Sequence, residues 1–343
     1  MKILSVGTMS GLSNTCLHRH WTLEKIANKI DVVNTSERPC SLWYRVAHHL
    51  FLWGLPVRLP DSSCANRKIR EYITRNQYDI VWIDKGITIN PETLLYIKQV
   101  SPETKIVSYS LDNMALRHNQ SQNYVKCIPL YDWHFTTKSY ILEDMKRLGA
   151  KRIKFTNQVY ESSFHYPHLL NGEEIQRLGG YVGFIGAWEK ERCESILYLA
   201  AGGIKVKVFG SGKWNNYKNI ENLKILPALY SDDYSKALQA FRISLCFLRK
   251  MNLDLQTSRT MEIPACGGFM LAERTDEHLQ LFAEGKEAQF FATNEELLEK
   301  CRYYLAHDEE RKIIAEAGTL RCHTSGYSNE ETLKRLIAII ISE

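Results

Sequence analysis

Short apolar runs alternate along the chain with longer segments whose apolar residues recur every three or four positions. The runs at residues 79–84, 105–110 and 132–137 are rich in β-branched and aromatic residues, as expected for strands buried on both faces of a sheet. A similar run at residues 2–7 precedes a helical pattern over residues 16–30. This alternation predicts an α/β fold with parallel, doubly wound sheets.

The periodic pattern fades between residues 157 and 180 and then starts again. Such a break between two series of strands and helices marks a linker between domains. We therefore predict a Rossmann-like domain over residues 1–165, a second Rossmann-like domain over residues 178–328, and a closing helix over residues 329–343. Ligands of such sheets bind beyond the carboxyl ends of the strands, so candidate sites are expected in the loops that follow strands.

The composition of the 343 residues fits two globular domains. Hydrophobic residues make up 44%, yet no apolar run approaches the roughly 20 residues that cross a bilayer. The nine cysteines form no C-x-x-C pair, a usage typical of a reducing compartment, so we expect a cytoplasmic protein and leave membrane association open. The net charge of +5 comes without dense Lys/Arg blocks. It allows an anionic substrate or a membrane surface, and we expect no nucleic-acid partner.

One segment, residues 41–59, combines aromatic, aliphatic and basic residues in the run SLWYRVAHHLFLWGLPVRL. Two interpretations are open. The favoured one is a core helix packed on the first sheet. The alternative is a peripheral contact with a membrane or with a lipid-linked acceptor.

The region that says most about chemistry is residues 257–282. A polar turn there opens a short helix that carries Arg259 and Glu262, and Gly267 and Gly268 end the helix before a buried strand. A carboxylate on such a helix can hold the two hydroxyls of a ribose, while a neighbouring guanidinium and a helix N-terminus suit a diphosphate. The segment therefore indicates sugar-nucleotide chemistry.

Four segments of the C-terminal half carry a resemblance to a known family. They are FIGAWEKER at residues 184–192, VFGSGKW at residues 208–214, TSRTMEIPACGGFMLAE at residues 257–273 and FAEGKEA at residues 282–288. With these landmarks, residues 180–330 resemble the donor domain of GT-B glycosyltransferases of group 1, the retaining type, and particularly the CgeB-like branch of spore-maturation proteins. The resemblance implies two Rossmann-like domains that face a central cleft, with the closing helix packed back on the N-terminal domain.

The resemblance also implies the reactants and two acidic residues. The donor is a nucleotide-sugar, UDP- or GDP-linked, held by the C-terminal domain. The acceptor is a glycan, a lipid-linked sugar or a small molecule, bound mainly by the N-terminal domain. Glu262 matches the family's ribose-binding position, and Asp254, eight residues earlier, stands where the family usually has a glutamate. Retention in this family needs no enzymatic nucleophile. We expect no other cofactor and no metal, because no D-x-D motif follows a strand.

The remaining candidates are glycines and polar residues at predicted strand ends. Negative charge grows on a leaving diphosphate, and cations or N–H dipoles must stabilise it, which favours Arg259 as a catalytic residue. Polar residues at these positions can instead cap helices or form surface ion pairs. Asp84 also stands at a strand end, where it could meet acceptor hydroxyls or the donor sugar. His18 and His20 could approach a sugar hydroxyl, but we expect them on the surface. The catalytic candidates are Arg259, Asp254, Asp112 and Lys85, and the donor-binding candidates are Glu262, Gly186, Arg192, Gly210, Ser211, Gly212 and Ser258.

The same pattern also bears on three other protein classes. The loop at residues 7–13 reads G-T-M-S-G-L-S and lacks the second glycine of a dinucleotide fingerprint, which counts against an NAD-dependent oxidoreductase. One rival is a transferase-like protein that binds nucleotide or glycan without turnover, which Asp254 in place of glutamate supports. A second rival is a sugar-nucleotide epimerase with the same double-Rossmann layout.

Overall fold

The computed structural model describes residues 1–36 and 41–342 and divides the chain into two compact units. The first unit comprises Met1–Asn157 together with the chain from Thr332 onward, and the second comprises Gln158–Glu331. Residues 158–165 therefore lie in the second unit. Residues 37–40 and 343, which fall in the predicted first domain and closing helix, lie outside the described residues.

The first unit is a parallel sheet with helices on both faces. Its strands are β1 (Lys2–Gly7), β2 (Lys29–Asn34), β3 (Ile80–Asp84), β4 (Lys105–Ser110), β5 (Trp133–Thr136) and β6 (Ile153–Phe155). Its helices in this part of the chain are α1 (Thr15–Ile26), α2 (Leu42–Leu52), α3 (Ala65–Arg75), α4 (Pro91–Val100), α5 (Gln122–Cys127) and α6 (Leu142–Arg147). The strand order is β2-β1-β3-β4-β5-β6, so the winding direction reverses between β1 and β3.

Side chains along the strands alternate between the two faces of the first sheet, and both faces are buried. Leu4 and Val81 pack on one face with residues of α3 and α4. Ile3 and Trp82 point to the other face, because successive side chains of a strand project to opposite sides. A helix near the end of the chain, Asn329–Ile341, covers that second face from Thr332 onward. Its contribution to the core consists of Leu333, Leu336, Ile337 and Ile340.

The second unit repeats the architecture with a different strand order. Its elements are α7 (Gly172–Leu178), β7 (Gly180–Ile185), α8 (Lys190–Ala201), β8 (Val206–Phe209), β9 (Leu223–Leu226), α9 (Asp232–Ala240), β10 (Phe241–Cys246), α10 (Ser258–Ala265), β11 (Met270–Glu273), α11 (Asp276–Leu281), β12 (Gln289–Phe291), α12 (Asn294–Ala306), α13 (Asp308–Thr324) and the start of α14 (Asn329–Ile341). The order β12-β11-β10-β7-β8-β9 is that of dinucleotide-binding sheets, and it reverses between β7 and β10. In each unit a ligand is expected at this switch point.

Two predictions about local structure are wrong, one on the first helix and one on residues 41–59. The predicted helix over residues 16–30 ends at Ile26, and β2 begins at Lys29. That strand is an edge strand paired only with β1, so its half-polar sequence does not show the continuous apolar run of a buried strand.

The favoured interpretation of residues 41–59 as a core helix also fails. In α2 only Ala47 and Phe51 are buried, whereas Leu42 is 77% and Trp53 is 78% exposed. The helix therefore rests on the unit through one narrow face. None of the helices in residues 1–36 and 41–342 is both long and apolar enough to pass through a bilayer.

Candidate active site

The switch point of the second unit is built around Gly186, the residue that follows β7. A side chain at this position would overlap the guanidinium of Arg259 and the ring of Phe184. Arg259 lies in the first turn of α10, and its Nε donates a hydrogen bond to the carbonyl of Ile185 at 2.7 Å. Its guanidinium lies 5.2 Å from the centre of the Phe184 ring. The glycine therefore lets a cation lie directly against the end of the central strand.

A second guanidinium is buried beside the first. Arg192, in the first turn of α8, is only 3% exposed. Its Nε and Nη1 donate to the carbonyls of Leu248 and Ala187, both at 3.3 Å. Within the described part of the chain, its Nη2 has no hydrogen-bond partner. A buried donor of this kind costs free energy until an acceptor reaches it.

The electrostatic environment of Arg192 favours an anion. Burial, and then the neighbouring charge of Arg259, lower the pKa of the Arg192 guanidinium to about 10. The nearest carboxylate is that of Glu189, whose Oε1 lies 3.5 Å from Nη1. The same carboxylate oxygen accepts a hydrogen bond from Nε of Arg249 at 3.2 Å, so Glu189 is shared between Arg192 and Arg249. A diphosphate is an anion of the right chemistry for two such forks.

The end of β8 completes this edge of the sheet. Gly210 lies against Gly186, and a side chain there would overlap Trp214. The indole of Trp214 donates to the carbonyl of Gly186 at 3.0 Å. Gly212 adopts φ +66°, a left-handed conformation that favours glycine. Beside these turns lies an open depression of about 740 Å³, lined by Ala187, Trp188, Glu189, Lys190, Glu191, Ser211, Gly212, Lys213, Lys250 and Met251.

Glu262 lies one turn after Arg259 in α10 and is 5% exposed. Its Oε2 accepts a hydrogen bond from the hydroxyl of Tyr234 at 2.5 Å, and its Oε1 lies 3.6 Å from Nε2 of His165. Burial lowers the pKa of His165 to about 3, so the imidazole is neutral and the contact is not an ion pair. The positions of Tyr234 and His165 were missed by the sequence reasoning, because neither stands in a recognisable motif or near Glu262 in the chain.

Two other candidates of the donor domain, Asp254 and Ser258, each form a side-chain hydrogen bond. Asp254, in the loop after β10, is 8% exposed and accepts a hydrogen bond from the amide of Asn252 at 2.6 Å. Ser258, the first residue of α10, donates to the side chain of Gln158 at 3.4 Å. Both residues lie at the carboxyl edge of the sheet. Neither contact joins them to the two guanidinium groups.

In the first unit the predicted residues Lys85 and Asp112 come together at the ends of β3 and β4. The ammonium of Lys85 lies 2.5 Å from Oδ2 of Asp112, and the side chains are 40% and 22% exposed. Lys85 adopts φ +58°, a conformation uncommon for a residue with a side chain.

Asp84 has a different environment from that expected of an acceptor-binding residue. It pairs with Arg19, whose Nε donates to Oδ1 at 2.8 Å, and it accepts a bond from the Trp82 indole at 3.2 Å. Arg19 is 4% exposed, and its guanidinium lies 4.4 Å from the centre of the Tyr109 ring. The sequence reasoning missed this pairing because 65 residues separate the two partners.

The expectation that His18 and His20 lie on the surface is wrong. The two residues are 2% and 7% exposed. They belong to the buried side of α1, and His18 Nε2 lies 2.6 Å from the carbonyl of Leu12.

Solved structures with the same architecture identify the fold. HepE from Anabaena, in complex with UDP and glucose, is similar over 100% of this chain and 99% of its own, with 12% identity and a TM-score of 0.63. Sucrose-phosphate synthase from Thermosynechococcus elongatus is similar over 100% and 99%, with 10% identity and a TM-score of 0.68. A putative UDP-N-acetylglucosamine 2-epimerase from Listeria monocytogenes is similar over 100% and 96%, with 15% identity and a TM-score of 0.58. The chain therefore has the GT-B fold, as predicted.

The family comparison concerns most of the second unit and most of the closing helix. Residues 192–338 match the model of a family described as glycosyl transferase-like. The matched range contains Arg192, Asp254, Arg259 and Glu262. The comparison with curated proteins finds no match. Together, the family match and the GT-B fold support a nucleotide-sugar glycosyltransferase.

Proposed function

We propose that the protein transfers a sugar from a UDP-linked donor to a glycan, lipid-linked or small-molecule acceptor. The observation that carries this proposal is the pair of guanidinium groups at Gly186, one with a buried unpartnered N–H, at the switch point of the second sheet. UDP is preferred to GDP because the HepE structures contain UDP, UDP-glucose or UDP and glucose. The four landmark segments support placement in the CgeB-like branch.

Arg259 and Arg192 are proposed to stabilise the leaving group. In the transfer, the bond between the anomeric carbon and the phosphate oxygen breaks, and its electron pair leaves with UDP. The growing negative charge meets two cations already held in place by backbone carbonyls, so little reorganisation is needed. The acceptor hydroxyl forms its bond to the anomeric carbon on the same face, and its proton passes to the departing phosphate oxygen. The sugar configuration is then retained.

Glu262 is proposed to bind the ribose, with Tyr234 as a positioning residue. The carboxylate has one oxygen on the Tyr234 hydroxyl and the other near a neutral imidazole. A ribose hydroxyl can donate a hydrogen bond to a carboxylate oxygen. Asp254 is proposed to lie near the donor sugar, and the turn of Gly210, Ser211 and Gly212 near the nucleotide.

Lys85 and Asp112 are proposed to bind the acceptor. Their ammonium and carboxylate groups are partly exposed and offer both donors and acceptors of hydrogen bonds to sugar hydroxyls.

A reducing, cytoplasmic environment is proposed as well. All the cysteines within residues 1–36 and 41–342 are free thiols.

Transfer is proposed to proceed without a metal, since guanidinium groups supply the positive charge that stabilises the leaving diphosphate. Turnover is then expected to be the same in EDTA as in magnesium or manganese. A rate that falls in EDTA and returns with either ion would contradict this part of the proposal.

Binding and turnover must be tested separately. In a thermal-shift screen of nucleotides, UDP is expected to give the largest rise in Tm, because a ligand at 100 times its Kd adds about 2.7 kcal/mol to stability. Release of sugar from a UDP-linked donor then shows activity. Binding without any turnover would favour the inactive nucleotide-binding protein, and interconversion of the donor sugar without an acceptor would favour an epimerase. No shift with any nucleotide would refute the donor site.

A further inference from the structure

Another concave surface lies at the opposite edge of the second sheet. A cavity of about 470 Å³ is formed where β7, β8 and β9 begin, and its lining includes Tyr181, Lys205, Lys207 and Lys224. We call this cavity the amino-edge pocket. Strand β7 runs for six residues from this edge to the edge at Gly186, so the pocket lies about 20 Å from the arginine pair.

The three lysines of the pocket are brought together by the strand register. Lys207 of β8 is the direct partner of Lys224 on β9, and Lys205 stands immediately before β8. Like charges directly opposite each other on neighbouring strands destabilise a sheet. The concentration of three ammonium groups on one cavity therefore has a cost in stability, which a bound anion would offset.

The ammonium group of Lys207 is partly buried and held in place. Its Nζ donates to the carbonyl of Gly179 and, at 3.3 Å, to that of Arg177. These bonds cap the C-terminal end of α7 and use two of the three donors of an ammonium group. Burial, and then the neighbouring charge of Lys224, lower the pKa of Lys207. An anion beside Lys207 would favour its charged form.

Lys205 is also positioned before any ligand arrives. Its Nζ lies 5.9 Å from the centre of the Tyr181 ring, at a distance where a ring face attracts a cation. The capping role of Lys207 explains one of the three lysines, but it does not explain why the other two line the same cavity. Cations that are already held lose less conformational freedom when a ligand binds.

Carboxylates do not neutralise these charges. Among the described residues, the lining of the pocket contains neither aspartate nor glutamate, and within residues 1–36 and 41–342 none of the three lysines forms an ion pair. Two carboxylates of α7 and α9, Glu174 and Asp233, pair instead with Lys236 and Arg177. Glu221, in the turn before β9, is exposed to solvent. The pocket therefore presents positive charge to whatever enters it.

We propose that the amino-edge pocket binds a small molecule that carries two phosphate groups, at a site separate from the donor. Lysine binds phosphate as a point charge, and two phosphate groups match three ammonium groups better than one does. The cavity has the size of a small-molecule site, for which roughly 300–1,000 Å³ is usual. This binding requires neither a sugar donor nor an acceptor, so it does not depend on the proposed function.

Calorimetric titration with inorganic pyrophosphate tests the site. The titration is carried out on the variant Arg192→Met/Arg259→Ala, so that the proposed donor site does not contribute. This chain is expected to bind one pyrophosphate. Addition of Lys205→Glu/Lys224→Glu is expected to weaken the affinity by at least about tenfold, because two charge-assisted partners are lost. No binding to the arginine variant, or an unchanged affinity in the lysine variant, would overturn the proposal.

The matched control changes the same charge elsewhere. Lys151→Glu/Lys286→Glu in the same arginine variant reverses two exposed lysines, one in each unit, and should bind pyrophosphate with unchanged affinity. Lys224→Gln removes one charge without reversing it and is expected to weaken binding by about three- to tenfold. It keeps the test decisive if the double lysine variant fails to fold. An equal loss in the control would show a general effect of net charge and would overturn the site.

A second titration tests the two-phosphate requirement. A hexose bisphosphate has phosphates that are farther apart than those of pyrophosphate, and tight binding of either compound supports the proposal. Inorganic phosphate is expected to bind at least about tenfold more weakly than the better of the two, because it meets fewer ammonium groups. Equal affinity for phosphate would overturn the assignment. A wild-type chain that binds pyrophosphate at the amino-edge pocket but shows no thermal shift with UDP would refute the proposed function alone.

Discussion

The two sheets each place an arginine at the point where their winding reverses, and the two arginine environments are opposite. In the first unit, Arg19 of α1 forms a buried ion pair with Asp84, the last residue of β3. In the second unit, Arg259 lies at the end of β7 with Arg192 beside it, and the carboxylate of Glu189 is shared between Arg192 and Arg249. One charge is neutralised within the fold. In the second unit, Nη2 of Arg192 has no hydrogen-bond partner among the described residues.

The glycines at the two strand ends show the same contrast. A side chain at Gly7, at the end of β1, would overlap the thiol of Cys16 and lie 3.0 Å from Cβ of Asp84. Protein side chains therefore occupy that crevice. At Gly186 the neighbouring group is a guanidinium, which can bind an anion. An arginine paired inside the fold stabilises the domain, whereas an arginine pair without enough carboxylates is suited to a ligand.

The largest expected effect concerns the stability of the first unit. Arg19→Met leaves Asp84 buried without its cation and is expected to lower the free energy of unfolding by about 3–5 kcal/mol. Arg192→Met removes a buried cation repelled by Arg259, so the free energy should change by less than about 1 kcal/mol. Denaturant unfolding of both variants measures the difference. Equal losses would contradict the contrast between the two arginines.

The next effect concerns turnover. Arg259→Ala is expected to reduce kcat for a UDP-sugar donor by about 10²–10³-fold, because this guanidinium meets charge that develops in the transition state. The affinity for UDP should fall less. Arg302→Ala, an exposed arginine on α12, serves as the control and should leave kcat unchanged. Equal losses in kcat and affinity would indicate anchoring of the nucleotide instead of catalysis.

A smaller effect is expected from the carboxylate of α10. Glu262→Ala removes a charged hydrogen-bond acceptor for the ribose and is expected to weaken UDP binding by about 10–100-fold. Calorimetric titration with UDP measures this change, and Glu299→Ala on α12 provides the control. An affinity equal to that of wild type would remove Glu262 from the donor site.

The smallest effect concerns the tyrosine that holds this carboxylate. Tyr234→Phe keeps the ring and deletes only the hydroxyl that donates to Glu262 at 2.5 Å. The affinity for UDP should fall by about two- to tenfold, as expected for one neutral hydrogen-bond donor. A loss as large as that of Glu262→Ala would mean that Tyr234 contacts the nucleotide directly.

Much of the fold could be predicted from the sequence, because buried parallel strands are continuous apolar runs. The runs at residues 79–84 and 105–110 became β3 and β4. The half-polar edge strand β2 lacked that signal. Helix α2 has the apolar content of a core helix, and only its surroundings determine that most of it is exposed.

The site was predictable residue by residue but not as a set of contacts. Arg259 and Glu262 stand in a segment with a recognisable pattern, whereas the bond from Arg259 to Ile185 spans 74 residues. The sequence does not indicate that Asp84 is neutralised by Arg19 or that Tyr234 bonds Glu262. These pairings depend on sheet order and helix packing, which local patterns do not specify.

A crystal structure of the complex with UDP tests the central claim most directly. We predict that oxygens of the diphosphate lie within hydrogen-bond distance of Arg259 and of Nη2 of Arg192, beside Gly186, with the ribose on Glu262. A diphosphate bound elsewhere, with Nη2 of Arg192 still unpartnered and Arg259 unchanged on the Phe184 ring, would contradict the account.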